Sequence, residues 1–474
     1  MRYVLLLFCI GELAATGQQL RIQSASAHSV RLEWDGAAGP AAVERANGAA
    51  FQKIGAVSQT SYEDTAIDPF ATYRYRITAG GKSSNEVIVG PPPAGVLNAA
   101  PAPKGTEPAK FGTASALGLD ENGDPMIAFA WLDPNGDGDN SDSDVRFVRW
   151  SRAKRQWLPA VRVQVVGDIP VQGVHPVSIA CDRKTGLLVI VTPVVEKGAL
   201  VAISKDGGTT WSATALPGIG ATVSSTAVAV ADGKVYLALA CPDSGAYYFT
   251  GPIDNVSSWS REPLPAAAGW KQALGANVGL ALDSASQPVV AWFETQEEGD
   301  GRRFEVWKPG SAARTAMETK RSTDSPDLAI AGGGGKIGLL FETPLDEKDE
   351  DHGVWYAQSA DGASWSKPSK LPVDGPRSTN PPLSVAIDSH GRIAAVFGAN
   401  SGSDTTACNY PVLSRSNDGT SWKTCGPGKA EGGDFGPQPP NLHIVEAGND
   451  KAYVLWQETG ENKFHPGMLL WHEH

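Results

Sequence analysis

The chain has 474 residues, among them 53 glycines, 34 prolines and 14 tryptophans, and only 19% of its residues are charged. Its formal net charge of −12 at pH 7 argues against a nucleic acid or an anionic membrane surface as partner, because both would repel it. Frequent turn residues without long helical periodicity favour an all-β protein, long enough for one large and one small domain.

Residues 1–17 have the pattern of an export signal. Arg2 supplies a positive charge, an apolar run follows at 4–10, and small residues at 15–17 offer a cleavage site. The apolar run is too short to span a bilayer, and no later stretch reaches the roughly 18 apolar residues that a spanning helix needs. We therefore expect a secreted or periplasmic protein without a transmembrane segment, acting as a monomer.

Residues 18–91 form a separate predicted module. Polar and apolar side chains alternate along residues 29–34, as in a half-buried strand, and further strand patterns follow. The module resembles a fibronectin type III domain: Trp34 matches the family's core tryptophan, and the segment from Pro69 to Tyr75 matches its tyrosine-bearing strand. The resemblance implies a small β-sandwich that serves as a spacer or docking arm.

Residues 92–110 are rich in proline and alanine and are predicted to form a semi-rigid linker. Residues 111–474 then repeat one pattern: two apolar strands joined by a short turn, a third strand, and a fourth that begins near a tryptophan. The first strands of the repeats begin near Leu117, Ser178, Val228, Gly279, Leu328, Ser384 and Leu442. The spacing of roughly 50–60 residues is that of a four-stranded blade, so we predict a β-propeller of seven blades, with six as the alternative.

The last repeat reaches the end of the chain after its third strand. A ring that lacked one outer strand would leave an edge open for pairing with other chains. We therefore predict that residues preceding Leu117 supply the missing outer strand of the final blade.

Three turns share the pattern Ser-x-Asp-(x)-Gly-x-Ser/Thr-Trp, at residues 204–211, 359–365 and 416–422. The aspartate can cap backbone N–H groups of the turn, and the glycine can adopt a positive φ. The pattern resembles the Asp-box, or BNR repeat, of sialidase-type β-propellers. This turn joins strands three and four of a blade, away from the ligand-binding face, so its aspartates are predicted to be structural.

The opposite face of a propeller carries the segments before each first strand and the loops after each second strand. Candidate ligand-binding residues there are Glu294, Glu342 and Glu458, which close second strands, and Arg321, Arg377, Asn380 and His175 in the entry segments. Two functions are compatible with them. One is the recognition of an extracellular glycan or protein; the other is glycoside hydrolysis by Glu294 or Glu342 with an aspartate of the first repeat.

The first repeat distinguishes these two functions. The resemblance to sialidases implies an arginine in the entry to the first blade and a charged residue at its strand end. The entry at residues 111–114 contains no arginine, and Trp131 stands at the strand end. A bidentate contact of arginine with a substrate carboxylate is hard to replace. The sequence therefore favours a binding protein without catalytic activity.

An acidic loop in the first repeat has the spacing of a calcium-binding loop. Oxygen ligands stand at loop positions 1, 3, 5, 7, 9 and 12, with Gly138 at position 6. The candidate metal ligands are Asp133, Asn135, Asp137, Asp139, Ser141 and Asp144. The loop is predicted to bind Ca²⁺; the alternative is a solvated acidic turn.

Four cysteines remain once the signal with Cys9 is removed. An even number in an exported protein favours disulfides. Cys408 and Cys425 would clip one Asp-box hairpin, whereas Cys181 and Cys241 would link neighbouring blades. The alternative is four buried thiols.

Overall fold

The computed structural model divides the chain into two compact units. The smaller comprises Met1–Pro91 with Arg152–Arg155, and the larger comprises Pro92–Ser151 with Gln156–His474. The residues that the structure describes are 18–35, 40–92, 97–98, 110–132, 143–163, 177–194, 198–219, 222–241, 244–266, 268–272, 278–299, 301–319, 327–343, 353–372, 379–399, 410–425, 442–448, 451–457 and 463–470. Within these ranges, no helix is long and apolar enough to cross a membrane. The predicted export signal lies outside them.

The smaller unit contains two antiparallel sheets. One has the order β1-β2-β5, formed by β1 (Gln19–Ala25), β2 (Val30–Asp35) and β5 (Ser61–Asp64). The other has the order β4-β3-β6-β7 with β8 also paired to β6, formed by β3 (Ala41–Ala46), β4 (Gln52–Val57), β6 (Tyr73–Ala79), β7 (Lys82–Ser83) and β8 (Val87–Val89). Burial alternates along β2 and β6, so each presents one apolar face to a shared core.

The core of the smaller unit is built around Trp34 and Tyr75, both fully buried. The Tyr75 hydroxyl donates to the buried Asp64 carboxylate at 2.8 Å, and Arg45 pairs with the same oxygen at 2.8 Å. Burial, followed by the Asp64 charge, raises the pKa of Tyr75 far above its usual value. Trp34 lies in the core, as the sequence predicted. The fibronectin type III assignment itself stays a prediction.

The described part of the larger unit forms seven antiparallel sheets, numbered here in chain order. Sheet 1 contains β10 (Lys110–Leu119), β11 (Pro125–Leu132), β12 (Ser143–Ser151), β13 (Gln156–Trp157) and β14 (Val161–Val163). Sheet 2 contains β15 (Ser178–Asp182), β16 (Leu187–Val194), β17 (Gly198–Ser204) and β18 (Ser212–Ala215). Sheet 3 contains β19 (Ser225–Ala231), β20 (Lys234–Cys241), β21 (Gly245–Pro252) and β22 (Ser260–Pro263). A short 3₁₀ helix, Val256–Ser258, separates β21 from β22.

The remaining sheets follow the same meander of consecutive strands. Sheet 4 contains β23 (Trp270–Gln272), β24 (Gly279–Leu282), β25 (Pro288–Gln296), β26 (Arg302–Trp307) and β27 (Arg314–Thr319), and sheet 5 contains β28 (Leu328–Gly333), β29 (Lys336–Thr343), β30 (Gly353–Ser359) and β31 (Ser369–Lys370). Sheet 6 contains β32 (Thr379–Ile387), β33 (Ile393–Ala399), β34 (Tyr410–Ser416) and β35 (Trp422–Cys425). Sheet 7 contains β36 (Leu442–Gly448), β37 (Lys451–Gln457) and β38 (Lys463–Leu470). In sheet 4, β23 and β24 both pair with β25 and together take the place of one first strand.

The first strands of the sheets stand side by side in a ring. Each of β10, β15, β19, β24, β28, β32 and β36 contacts the next, and β36 contacts β10. The sheets therefore surround a common axis, which is the arrangement of a β-propeller. The all-β class and the propeller fold predicted from the sequence are confirmed.

The ring is closed by a strand from the beginning of the larger unit. Strand β9 (Leu97–Asn98) pairs with β38 and completes sheet 7 in the order β36-β37-β38-β9. The prediction that residues before Leu117 supply the last outer strand is thus confirmed. Closure covers an edge that would otherwise offer unpaired backbone groups to another chain.

Polar side chains join neighbouring first strands around the axis. Each bond runs from one sheet to the next, and at the seam from sheet 7 to sheet 1. The pairs are Ser178 Oγ with Thr226 Oγ1 (2.9 Å), Val278 N with Ser225 Oγ (3.3 Å), Leu383 N with Asp327 Oδ2, Ile444 N with Ser384 Oγ (3.1 Å) and Ser115 Oγ with His443 Nε2 (3.2 Å). These bonds fix the relative height of the sheets at the five interfaces that they cross, because hydrogen bonds are directional and apolar packing is not.

The three Asp-box-like turns have the capped geometry expected of them. In each, the serine hydroxyl accepts a 2.8 Å bond from a glycine N–H, and the aspartate Oδ1 accepts backbone bonds of 2.7–2.9 Å. Hydrogen bonds from Thr210 lower the pKa of Asp206 to about 2, and those from the Ser364 and Ala363 amides lower that of Asp361 to about 2. These carboxylates are capping groups of the turns.

The predicted Cys181–Cys241 disulfide is wrong: the structure has no bond between these two cysteines. Asp182, beside Cys181, accepts a bond from Gly233 N at 3.0 Å, so Cys181 lies near the start of β20. Cys241 is the last residue of that eight-residue strand. At about 3.3 Å per residue the two ends are roughly 20 Å apart, whereas a disulfide needs Cα atoms within about 7 Å. The Cys408–Cys425 pair cannot be assessed, because Cys408 lies outside the described residues.

Replacing Asp327 by asparagine should destabilise the ring. Asp327 is fully buried and accepts bonds from Leu328 N at 2.8 Å and from Leu383 N of the next sheet. An amide keeps only one acceptor atom, so one buried N–H loses its partner at a cost of about 1–3 kcal/mol. Chemical denaturation should show this loss for Asp327→Asn and almost none for Asp254→Asn on an exposed turn. Equal stability of the two variants would contradict the role of Asp327.

Candidate functional site

The two ends of the ring differ in what they carry. One end holds the turns between first and second and between third and fourth strands. The other, here called the loop face, is where second strands end and third strands begin, as at Glu294 and Arg303 or at Glu342 and Val354. Glu294 and Glu342 therefore lie on the loop face, as predicted.

Several other predicted residues fall outside the described ranges. These are His175, Arg321, Arg377 and Glu458, together with the loop residues Asp133, Asn135, Asp137, Asp139 and Ser141. Asn380 lies in β32 opposite Gly398, but its side chain is not among those described.

A cavity of about 320 Å³ lies on the axis and is lined by the first strands. The polar side chains in its lining include Ser178, Thr226, Ser384 and His443, which also join neighbouring sheets. Over the described residues, the lining contains no aspartate, glutamate, lysine or arginine. This cavity therefore offers hydroxyl groups and one imidazole as hydrogen-bonding groups, but no pair of carboxyl groups.

The two predicted glutamates point in opposite directions. Phe293 and Phe341, which precede them, both pack into the apolar core between sheets 4 and 5. Successive side chains on a strand point to opposite faces, so Glu294 faces sheet 3 and Glu342 faces sheet 6. Val354, which lies opposite Glu342, accordingly packs in the core between sheets 5 and 6. The two carboxyl groups cannot approach one another.

Glu294 has no exposed surface, and both of its oxygens are engaged. Oε2 accepts bonds from Arg303 Nε at 2.9 Å and Arg303 Nη2 at 2.6 Å, and Oε1 accepts one from Trp292 Nε1 at 3.0 Å. A carboxylate held in this way is a fixed counter-charge. It is not placed to transfer a proton to a ligand.

Arg303 is the centre of a larger arrangement, here called the groove cluster: Trp270, Glu294, Arg303, Glu305 and Thr315. The guanidinium lies over the Trp270 ring, 4.2 Å from its centroid, and Arg303 Nε is 3.0 Å from Glu305 Oε1. The same Glu305 oxygen accepts a bond from the Thr315 hydroxyl. Burial raises the pKa of Glu305, while Thr315 and Arg303 oppose that rise.

The groove cluster lies between sheets 3 and 4 on the loop face. Gln272, opposite Glu294 in the sheet, reaches across to sheet 3: its Oε1 accepts from Ala246 N at 2.6 Å and its Nε2 donates to Leu264 O at 3.0 Å. Trp292 packs in the apolar core of the same interface below the cluster. The cluster thus lies at the loop-face end of the interface between sheets 3 and 4.

Asp144 is the one predicted metal ligand whose surroundings are described. Its Oδ1 accepts a 2.7 Å bond from Arg146 Nε, and its Oδ2 lies 2.9 Å from Arg162 Nε. Both oxygens are therefore paired with guanidinium groups. Within the described ranges, no group of three or more histidine, cysteine, aspartate or glutamate side chains could hold a metal ion.

The opposite end of the ring carries a second set of capping aspartates that the sequence analysis did not single out. Each closes a turn between a first and a second strand by accepting backbone N–H bonds of 2.8–3.1 Å. They are Asp120, Asp182, Asp283 and Asp388. Burial, followed by the nearby Asp124 charge, raises the pKa of Asp120 to about 7. Their recurrence at the end of four of the seven first strands was the signal that could have revealed them.

Comparisons with known proteins give the following results. No protein-family model matches the chain, and no curated protein is significantly similar to it. Among solved structures, the BP39L lectin from Burkholderia pseudomallei has a TM-score of 0.49 at 12% identity, covering 77% of this chain and 98% of its own. The α-L-arabinofuranosidase Arb93A from Fusarium graminearum has a TM-score of 0.44 at 11% identity, covering 81% of this chain and 99% of its own. The Hadza microbial sialidase Hz136 has a TM-score of 0.41 at 11% identity, covering 96% of this chain and 94% of its own. Likenesses at these scores carry no argument about the activity of this chain.

Glu294→Gln should strongly destabilise the protein, because it would leave the buried Arg303 charge without its main counter-charge. Breaking a buried ion pair from one side costs about 3–5 kcal/mol. Urea unfolding should show this loss, whereas Glu297→Gln, on the exposed loop after β25, should change the free energy of unfolding little.

The opposite result would restore a catalytic role for Glu294. A carboxylic acid that serves catalysis is commonly held at a cost to stability, so its replacement leaves the protein equally or more stable. An unchanged or increased free energy of unfolding in Glu294→Gln would therefore contradict its assignment as a fixed counter-charge.

Proposed function

We propose that this protein is an exported, non-catalytic recognition protein. In this proposal, a seven-bladed propeller binds an extracellular glycan or protein through its loop face, and the smaller unit is a fibronectin type III spacer or docking module. The observation that supports it most is the state of Glu294. Glu294, one of the two glutamates that the sequence offered for catalysis, is fully buried and held by Arg303 and Trp292.

Glycoside hydrolysis is the second candidate and is less well supported. It requires two carboxyl groups about 5–9 Å apart across the scissile bond. Glu294 and Glu342 face away from each other, and the described lining of the axial cavity contains no carboxylate. The first repeat also lacks the arginine that the sialidase resemblance implies.

A glycan is favoured over a protein as the ligand because of the groups that the groove cluster combines. Sugar-binding sites need polar donors and acceptors next to an aromatic surface. Arg303 and Glu305 supply both kinds of polar group beside Trp270, between two sheets. The net charge of −12 remains consistent with an extracellular ligand that is not a nucleic acid.

Two further features belong to the proposal. The export signal at residues 1–17 would deliver the chain to an oxidising compartment, where Cys408 and Cys425 could pair. The acidic loop would bind Ca²⁺ through Asp133, Asn135, Asp137, Asp139 and Ser141, with Asp144 held apart by its two arginines.

The proposed function predicts binding without turnover. The full mature chain, applied to an array of extracellular glycans, should bind a defined subset, while a panel of fluorogenic glycosides should give no release above a heat-denatured control. Release of any glycosyl group at a rate proportional to protein concentration would instead favour the hydrolase. Absence of binding to every glycan, with binding to a protein ligand, would favour the protein-binding alternative.

The calcium site predicts a cation-dependent melting temperature. A ligand that binds only the folded state stabilises it by about 2.7 kcal/mol at a concentration one hundred times its dissociation constant. Calorimetry should show a rise in melting temperature with Ca²⁺ that Asp137→Ala abolishes and Asp254→Ala does not. An unmoved melting curve at millimolar Ca²⁺ would show that the loop is only an acidic turn.

A further inference from the structure

We infer that the turn between the first and second strands of sheet 1 is a pH-sensitive device, in which Asp120 takes up a proton as the pH falls and thereby stabilises the interface between sheets 1 and 2. The turn lies at the end of the ring opposite the loop face. The inference is independent of the proposed function, because it concerns a capping aspartate and no ligand-binding group.

Four capping aspartates occupy equivalent turns of the ring, and three of them have a hydrogen-bond donor for each carboxylate oxygen. In all four, Oδ1 accepts backbone N–H groups of its own turn. The donors to the second oxygen, Oδ2, are the Thr185 hydroxyl at 2.9 Å and Gly233 N at 3.0 Å for Asp182, Lys308 Nζ at 2.8 Å for Asp283, and Arg392 Nε at 2.6 Å for Asp388. A charged carboxylate is thus fully satisfied at these three places.

Asp120 differs from the other three at its second oxygen. Its side chain is only 2% exposed, and within the described part of the chain no donor lies within hydrogen-bond distance of Oδ2. Arg149 Nη1 is 3.8 Å from this oxygen, which is too far for a hydrogen bond. A buried carboxylate oxygen without a donor makes the charged form costly, and a proton on the carboxyl group removes that cost.

Arg149 lies where Lys308 lies in sheet 4, on the third strand beside the start of the second, but it is shared. Its Nη1 is 3.6 Å from Glu121 Oε1 and 3.8 Å from Asp120 Oδ2, so it bonds to neither. The guanidinium instead packs on the Asp-box-like turn of sheet 2, where a Cβ added at Gly207 would lie 2.8 Å from Nη1. One guanidinium therefore faces two carboxylates without closing an ion pair with Asp120.

The other groups around Asp120 add negative charge. Its own turn contributes Glu121, whose Oε2 is sealed without a hydrogen-bond partner among the described residues, and the almost fully buried Asp124. Burial, followed by the charges of Asp124 and Glu121, raises the pKa of Asp120 to about 7. On sheet 2, burial raises the pKa of the Cys181 thiol to about 12, so it stays neutral. The neighbouring turns of sheet 2 also carry the charged residues Asp182, Arg183, Lys184, Lys205 and Asp206.

The proton acts on the interface because Asp120 faces sheet 2. Ala116 packs in the core between sheets 1 and 2, and a Cβ added at Gly118 would contact Ile179 of sheet 2. Alternate residues of a strand share a face, so Asp120 lies on that face as well. Glu121 covers Gly186 of the adjacent sheet 2 turn. Protonation of Asp120 therefore relieves repulsion at the place where the two sheets meet.

The sign of the effect follows from linkage. Folded Asp120 keeps its proton at pH values where the unfolded chain, with an ordinary aspartate pKa near 4, has already released it. The stabilisation is present in acid and is lost as the pH rises from about 4 to about 7. The interface between sheets 1 and 2 is thus more stable in mildly acidic than in neutral solution.

The experiment measures urea unfolding of the full mature chain between about pH 4 and pH 8 and compares it with Asp120→Asn. Asparagine keeps Oδ1 for the two backbone donors and has no titrating proton. The folding equilibrium constant of the wild type, divided by that of Asp120→Asn at the same pH, should fall about tenfold per pH unit between about pH 5 and pH 6, since one proton is released.

Asp283→Asn is the matched control in the equivalent turn of sheet 4. Burial alone would raise the pKa of Asp283, but the bond from Lys308 and the backbone amides outweigh it and lower that pKa. The stabilisation by Asp283 is therefore lost only in stronger acid, below the ordinary aspartate range. The corresponding ratio for Asp283→Asn should stay constant from about pH 5 to pH 8.

A second measurement covers the case in which Asp120→Asn does not fold. Carbon-13 NMR of the aspartate side-chain carboxyl groups in the wild type should show one resonance that titrates near pH 7. Glu121→Gln removes a neighbouring negative charge and should move that midpoint to lower pH. A wild-type to Asp120→Asn ratio that is constant over the whole range, or the absence of any aspartate that titrates above about pH 6, would overturn the inference.

Discussion

The larger unit depends on one constraint: each sheet must bury apolar side chains on both of its faces. In β16, Leu188 and Ile190 pack against sheet 1, while Val189 and Val191 pack against sheet 3. A row of such sheets cannot end, because its last member would expose an apolar face to water. The ring solves this problem, and β9 completes it. The bonds between first strands then set the relative height of the sheets, which apolar packing alone would leave undetermined.

The same constraint explains where charged groups are tolerated. Inside the interfaces, a charge must be paired, so Glu294 and Arg303 occupy opposite positions on β25 and β26 at the rim of the apolar core. Two apolar residues of similar volume would often be at least as stable as such a pair. At the opposite end, the capping aspartates bond to the backbone of their own turns.

The architecture could be predicted from the sequence because it depends on local patterns that recur. The apolar strand pairs predicted the sheets, and the Ser-x-Asp pattern predicted the capped turns that the structure contains. The repeats contain one outer strand fewer than a closed ring needs, and the pairing of β9 with β38 supplies it. The Cys181–Cys241 pairing failed because an even number of cysteines does not say at which end of a strand each lies.

The site was harder to predict, since it depends on pairing between strands. Glu294 was chosen for its place at a strand end, and its partner Arg303 became visible only with the register of β25 and β26. The two residues stand almost symmetrically about the loop at residues 297–301, so counting outward from that turn could have paired them. The position of Trp270 in this sheet was harder to predict, because nothing in its local sequence shows that β23 joins the same sheet.

The most direct test of this account is a crystal structure of the full mature chain prepared with a glycoside that it binds in solution. The account predicts an intact glycoside bound on the loop face. A cleaved glycosidic bond, with two carboxyl groups about 5–9 Å apart across it, would contradict it.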